Sequence, residues 1–365
     1  MSEGDLYIGL MSGTSLDGVD AVLADFSGRP PRVCASAHHP FSAELRAELL
    51  ALQSPGHDEI ARAAAAGNAL ALAYAAAVDA VLRASGSDKS VVQAIGCHGQ
   101  TVRHRPERGF TAQIGNPALL AERTSLRVVA DFRSRDVAAG GQGAPLAPAF
   151  HAEVFLDRTE NRAILNIGGI ANLTRLARDG TVTGFDCGPG NCLMDLWCAE
   201  HTGAPFDESG KWAAGGRVLP QLLARMQQDP YFALPPPKST GRDLFNDAWV
   251  RARIKADEDP QSVQATLLEL TARSICEAIG HNLPRTQRVI ACGGGTKNPA
   301  MMTRLGALLS PVPLESSDRY GIDPQLVEAI AFAWLARQSV LGLPGNLPSV
   351  TGARGRRVLG AVYPP

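Results

Sequence analysis

Short apolar runs that break into glycine recur three times along the chain. Ile8-Gly9-Leu10 leads into Met11-Ser12-Gly13-Thr14-Ser15-Leu16-Asp17-Gly18-Val19-Asp20, Ile164-Leu165-Asn166-Ile167 into Gly168-Gly169, and Val289-Ile290-Ala291-Cys292 into Gly293-Gly294-Gly295-Thr296-Lys297-Asn298. Runs of this length bounded by turn residues predict buried strands. The same reading gives strands at Val19–Asp25, which returns from the first turn as a hairpin, and at Val33–Ala37, Val91–Gly96, Arg127–Ala130 and Ala163–Ile167. Val182–Phe185 is a further strand, ending at Asp186. Helical spacing appears between them. Leu70, Tyr74, Val78, Val81 and Leu82 form one face of a long helix, with Asp58 placed to cap it and Gly86 to Asp88 interrupting it. Leu193, Leu196 and Trp197 mark a second helix, Leu268, Leu270, Ile275 and Ile279 a third. Asp323-Pro324 opens a last one, with Pro in its first turn and Leu326, Ile330 and Trp334 inward. Alternating strands and helices define an α/β protein.

The glycine turns carry the chemistry. Glycine lets backbone N–H groups approach an anion closely, Ser12, Thr14 and Ser15 add hydroxyls, and Asp17 can hold a metal ion through water. Any one of these is equally an ordinary tight turn; three in this order point to a bound nucleotide. Gly210-Lys211-Trp212 and Thr296-Lys297-Asn298 lack the Ser or Thr that follows the lysine of a P-loop, and Gly9, Gly13 and Gly18 lack the dinucleotide spacing. The turns match instead the phosphate and adenosine loops of a two-domain actin-like ATPase fold, ribonuclease H-like in topology, with an active-site cleft expected between the domains.

At 365 residues the chain exceeds one ordinary core. The domains expected are 1–155 with 323–365, and 156–322. A net charge of −1 without runs of like charge favours neither nucleic acid nor an anionic membrane as partner. The start, Met1-Ser2-Glu3-Gly4-Asp5, is acidic and unlike a signal or transit peptide, and no apolar run is read as approaching the ~20 residues of a membrane span. Seven scattered cysteines suit reduced thiols in a cytoplasm. Cys187, Cys192 and Cys198 lack zinc-ligand spacing and read as buried thiols.

Taken together, Met11-Ser12-Gly13-Thr14-Ser15-Leu16-Asp17-Gly18, His98-Gly99-Gln100-Thr101, Asp131-Phe132-Arg133, Gly141-Gln142-Gly143-Ala144-Pro145-Leu146, Asn166-Ile167-Gly168-Gly169, Phe185-Asp186-Cys187-Gly188-Pro189-Gly190-Asn191 and the Gly293–Asn298 turn resemble the anhydro-N-acetylmuramic acid kinase family over nearly the whole chain. Lys238-Ser239-Thr240-Gly241-Arg242 and Asn346 to Ala353 fit it too, and Cys187 departs from it where threonine is commoner.

The resemblance implies an ATP-dependent kinase that hydrolytically opens 1,6-anhydro-N-acetylmuramic acid and phosphorylates it to N-acetylmuramic acid 6-phosphate in peptidoglycan recycling. It implies ATP and Mg2+ as cofactors, with Asp17 toward the metal. Gly13, Thr14, Ser15, Leu16, Asp17, Gly18, Val19 and Asp20 would form the phosphate loop, Gly168 and Gly169 a second, and Gly293, Gly294, Gly295 and Lys297 the adenosine loop. Asp186 takes the place of the family's catalytic aspartate. Glu328 is a second acid candidate, or a solvated helix carboxylate. His98, Gln100, Asp131, Arg133, Gln142, Asn191 and Lys238 are candidates for the sugar. Arg133 and Lys238 suit its lactyl carboxylate, while His98 equally suits a strand end needing a polar partner. Small molecules are the expected partners, a homodimer is left open, and the alternatives are a kinase for an ordinary sugar hydroxyl or a non-catalytic actin-like scaffold.

Overall fold

A computed structural model describes residues 5–13 and 16–365. The chain divides into two compact units, Met1–Val154 with Leu326–Pro365, and Phe155–Gln325.

The first unit is built on a six-stranded sheet of β1 (Leu6–Met11), β2 (Gly18–Asp25), β3 (Arg32–Pro40), β4 (Val92–Cys97), β7 (Val128–Ala130) and β13 (Ala361–Tyr363), in the order β13-β7-β4-β1-β2-β3. β5 (Gln100–Arg105) and β6 (Phe110–Ile114) form a separate hairpin. β1 and β2 pair antiparallel up to Met11↔Asp20, so the first glycine turn is the hairpin connection itself. β1 also pairs parallel with β4, setting Gly9 beside Gly96. That pairing matters because the helix Val327–Val340 lies across the two strands. A Cβ on Gly9 would overlap the Ala329 carbonyl oxygen, and one on Gly96 the Phe332 carbonyl oxygen. Two adjacent positions without side chains let the helix backbone settle on the sheet. Its residues from Ala329 to Ala336 are all buried, on every side of the helix, as expected of a helix apolar all round.

The opposite face of the sheet is covered by the helix Glu59–Ser85, which buries Leu70, Tyr74, Val78 and Val81. Three expectations are corrected here. This helix is long and apolar enough, by length and composition, to cross a bilayer, although the sequence was read as having no such run; 50% of its most apolar window is buried inside the fold. Its alanines had hidden the length of the apolar stretch. Asp58 stands at the N-cap position but in a left-handed conformation, with no side-chain cap hydrogen bond. Val91 lies in a 3-10 turn and is exposed, so β4 starts one residue later.

In the second unit the sheet order is β10-β9-β8-β11-β12, from β8 (Arg162–Ile167), β9 (Ile170–Leu176), β10 (Val182–Pro189), β11 (Arg288–Cys292) and β12 (Leu314–Ser316). β8, β9 and β10 form an antiparallel meander, and β11 joins β8 and β12 in parallel. The helix Pro260–Asn282 packs against it, capped at its start by Asp259 accepting from the Ser262 amide. Trp197, Tyr231, Phe245 and Trp249 complete the core. Asp186 is not at a strand end: β10 continues through it to Pro189, with an irregularity between Asp186 and Gly188. The last long helix begins at Val327, not at Pro324, and Leu326 is only half-buried. The Pro324 carbonyl accepts the Gly293 amide (2.8 Å) ahead of the helix.

Gly96→Val should lower stability by about 1–3 kcal/mol or more, since overpacking forces the helix off the sheet. Urea unfolding measures it, and an unchanged midpoint would show that the helix does not depend on the glycine pair.

Candidate active site

The first glycine turn is held from behind, carbonyl by carbonyl. The Ser12 hydroxyl donates to the Gly99 carbonyl (3.0 Å), so in its 2.7 Å contact with the Tyr74 hydroxyl the tyrosine is the donor. Burial raises the Tyr74 pKa well above its ordinary value and keeps that proton in place. His98 Nδ1 lies 3.2 Å from the Ser12 carbonyl, and Gln100 Nε2 donates to the Gly13 carbonyl (3.3 Å). Arg133 donates to His98 Nε2 through Nη2 (3.0 Å) and to the Gly143 carbonyl through Nη1 (2.8 Å). Burial first, then the Arg133 charge, push the His98 pKa down to about 3. The imidazole is therefore neutral, and this network places its proton on Nδ1, toward Ser12, and its acceptor at Nε2, toward Arg133. His98, Gln100 and Arg133, expected at the sugar, thus bear on the backbone of the glycine turn and the loop at Gly143. Thr14 and Ser15 lie outside the described residues.

Asp136 was not singled out as a site residue. It is 0% exposed; its carboxylate accepts from the Gly143 amide (2.8 Å), Asn346 Nδ2 (2.6 Å) and the Thr351 hydroxyl (2.8 Å). A Cβ on Gly141 would overlap the same carboxylate. Asp136 therefore ties the Gly140–Pro145 loop to the C-terminal segment, and the Gln142 amide adds a bond to the Thr351 carbonyl. No sequence signal joins residues 210 and 215 positions apart. The remaining candidates of this unit are dispersed. The Gln142 side chain and Asp131 are exposed, Asp131 with φ 56°; Leu16 and Val19 are buried; Asp20 pairs with His38 (2.9 Å); Asp17 is exposed; and Glu328 is half-buried in the first helical turn after Leu326.

In the second unit Gly168 and Gly169 are locked to the end of β10. Their carbonyls accept the Asn191, Gly190 and Cys192 amides (2.8–3.1 Å), and a Cβ on Gly190 would overlap the Gly168 carbonyl. Asn191 Nδ2 donates to the Ile167 carbonyl (3.2 Å), and its side chain stands by Gly294 and Gly295. Its place is thus at the glycine turns, a setting that supports loop geometry. The Gly293 carbonyl accepts from Thr296 Oγ1 (2.7 Å) and Gln325 Nε2 (3.0 Å), so Gln325 joins the site unannounced by any motif. Lys297 is exposed.

Asp186 is fixed on three sides. Its amide donates to the Lys238 carbonyl (3.1 Å), its carbonyl accepts the Tyr231 hydroxyl (2.7 Å), and Oδ2 accepts the Thr240 amide (3.1 Å). Lys238 turns its ammonium to the Tyr231 and Phe232 carbonyls (3.1 and 3.3 Å). The Cys187 thiol donates to the Ala171 carbonyl (3.1 Å), so the departure from threonine keeps a local donor.

The glycines separate into two kinds. Gly18, Gly190, Gly293 and Gly295 are hemmed in by protein atoms. Gly13, Gly168 and Gly294 are not: a Cβ there meets nothing nearer than 4.0, 3.4 and 3.8 Å among the described residues. The turns therefore have room for a ligand on those sides. No group of three or more His, Cys, Asp or Glu that could hold a metal ion occurs among the described residues.

Two α/β units with glycine turns at the sheet ends define an actin-like ATPase fold. The likeness extends to a solved structure, (R)-2-hydroxyglutaryl-CoA dehydratase component A of Acidaminococcus fermentans, with TM-score 0.50, 12% identity and coverage of 92% of this chain and 99% of that one. At that identity the likeness is one of fold. Residues 5–365 match the family model for anhydro-N-acetylmuramic acid kinase. The chain is 54% identical over 360 residues to the anhydro-N-acetylmuramic acid kinase of Nitrosospira multiformis, covering 98% of each. It is 57% identical over 373 residues to that of Variovorax paradoxus, covering 99% of each. The chain belongs to the anhydro-N-acetylmuramic acid kinase family.

Gly13→Val should fold normally and lose nucleotide affinity, because the added side chain fills the open side of the turn without touching protein; calorimetry on the folded variant decides, and retained affinity would make this an ordinary turn. A second expectation follows from His98, whose folded pKa lies below its unfolded value near 6.5. Between about pH 6.5 and 3 the unfolded chain binds the extra proton, so this contribution to stability is complete above 6.5 and is lost as pH falls through that window. Denaturation midpoints across it should fall less steeply for His98→Asn than for the parent. Equal slopes would show that His98 is not held neutral.

Proposed function

We propose that this chain uses ATP and water to open 1,6-anhydro-N-acetylmuramic acid and phosphorylate it to N-acetylmuramic acid 6-phosphate, with Asp186 as the single general base. The observation that carries the reading is the placement of the Asp186 carboxylate, gripped by the Thr240 amide on the strand whose end locks the Gly168-Gly169 turn. Family membership supplies the substrate. The Gly13–Asp20 turn of the first unit and the Gly168-Gly169 and Gly293–Lys297 turns of the second would take the nucleotide, their open glycines leaving space for it. Magnesium would neutralise phosphate charge, and Asp17, with no metal-holding carboxylate cluster among the described residues, suits the one or two protein carboxylates that such an ion commonly takes. Peptidoglycan recycling, a cytoplasmic location and the absence of nucleic-acid or membrane partners belong to the same proposal, as do the sugar-side roles of Asp131, Arg133 and Gln142 and the place of Glu328 as the second acid candidate.

The chemistry explains why one base is enough. An internal 1,6 bridge leaves no hydroxyl at carbon six for an ordinary kinase base to deprotonate. Asp186 takes a proton from water as its oxygen bonds to the anomeric carbon. The bond from that carbon to the bridge oxygen breaks, and this oxygen, now on carbon six, takes the γ-phosphoryl group as ADP leaves. The leaving group of the first displacement is the nucleophile of the second.

Asp186→Asn should bind ATP and sugar yet lose about 10²–10⁴-fold or more in turnover, the range of general-base catalysis. In oxygen-18 water, product quenched before anomeric exchange should carry label at the anomeric hydroxyl and none in the phosphate ester. Label in the ester, or near-parental turnover by the Asn variant, would overturn the mechanism; phosphorylation of free sugars only would overturn the substrate.

A further inference from the structure

β10 is the edge strand of its sheet, and its outer side at Asp186 pairs with no other strand. The segment from Tyr231 to Thr240 covers it instead. That segment meets Asp186 at the amide through the Lys238 carbonyl, at the carbonyl through the Tyr231 hydroxyl, and at the carboxylate through the Thr240 amide. It is also closed on itself. The Lys238 ammonium binds the Tyr231 and Phe232 carbonyls and lies over the Tyr231 ring, 4.7 Å from its centroid. The segment is anchored in turn to the core, where buried Asp229 accepts from the Tyr231 amide (2.9 Å), Trp249 Nε1 (2.7 Å) and Arg253 (2.8 Å).

We infer that Lys238 and Tyr231 are positioning residues: they clasp the Tyr231–Thr240 turn so that Asp186 is held in its working orientation, and Lys238 does not meet the substrate's carboxylate. The inference rests on the reading of Asp186 as the base. It replaces the expectation that Lys238 meets the lactyl carboxylate, because an ammonium that gives two of its three donors to backbone carbonyls and lies over a ring face is a closure for the turn. The electrostatics agree with the geometry. Burial lowers the Lys238 pKa, against the opposing effect of the Asp186 charge. Burial, then the negative charge of Asp186, push the Tyr231 phenol up, and it remains the proton donor to the Asp186 carbonyl. The β9–β10 register shifts between Asp186 and Gly188, so the clasp fixes the outer side of β10 where its ladder is irregular.

Positioning and substrate binding divide differently between kcat and KM. If the clasp acts through Asp186, Lys238→Met and Tyr231→Phe should each lower kcat, Lys238→Met by about 10²-fold, the cost of misplacing a reacting group by roughly 1 Å. KM for the anhydro sugar and for ATP should stay within about twofold for both. Lys238→Arg, which keeps a cation able to reach the two carbonyls, should recover most of the loss. Tyr231→Phe removes one hydroxyl from a buried ring, so it guards against a Lys238→Met chain that fails to fold. A raised sugar KM with parental kcat in Lys238→Met would overturn the inference in favour of a substrate contact. Parental kcat in both variants, beside an inactive Asp186→Asn, would overturn the clasp alone; an active Asp186→Asn would overturn the base itself.

Discussion

Every glycine turn in this protein faces the same constraint: a backbone bent to offer N–H groups to an anion must turn its carbonyl oxygens to the protein and have them satisfied there. Each turn solves it with a different set of donors. His98 and Gln100 serve the Ser12 and Gly13 carbonyls, backbone amides from Gly190 to Cys192 serve Gly168 and Gly169, and Thr296 and Gln325 serve Gly293. Without those donors the carbonyls would be left unsatisfied in the interior. The polar residues next to the turns are therefore explained first by the turns, and only then by any substrate.

The same constraint shapes the supporting core. Arg133 serves both His98 and the Gly143 carbonyl, and Gly143 in turn donates to Asp136. A continuous series of hydrogen bonds thus runs from the first glycine turn to Asn346 and Thr351 in the C-terminal segment. A buried carboxylate with three donors is expensive to disturb, because removing it strands each of them. The C-terminal segment is in this sense part of the site, although it carries no residue with obvious chemistry. Around Asp186 the solution is less rigid: a strand edge is covered by a proline-rich turn held closed by one ammonium. Placing the Asp186 carboxylate on such an edge gives it polar partners from outside the ladder, which a central strand would not have offered.

The glycine turns, the hairpin that follows the first, and the strand-helix alternation were legible because each is a local pattern: apolar periodicity and turn residues act over a few positions. Asp186 was singled out by its motif, but its place within the strand was not legible. The strand was read as ending there, because Gly188 and Pro189 look like a stop and the irregularity that lets β10 run on depends on β9 beside it. The bounds of the helix Glu59–Ser85 were legible, but its apolar reach and the start of the last helix were misjudged. Alanine is apolar without looking so, and the Pro324 carbonyl accepts the amide of a residue 31 positions earlier in the sequence numbering, Gly293.

By itself the sequence determined the class of fold, the family and the residue types available for chemistry, since those reside in motifs contiguous along the chain. Tertiary structure alone decided what each polar side chain does. Whether His98 or Lys238 faces a ligand or a carbonyl depends on which distant backbone lies beside it, and Asp136 acquires its role only when segments more than two hundred residues apart are brought together. Local pattern sets which groups are present; hydrogen-bond satisfaction in a packed interior, a property of the whole fold, sets which of them are left to act.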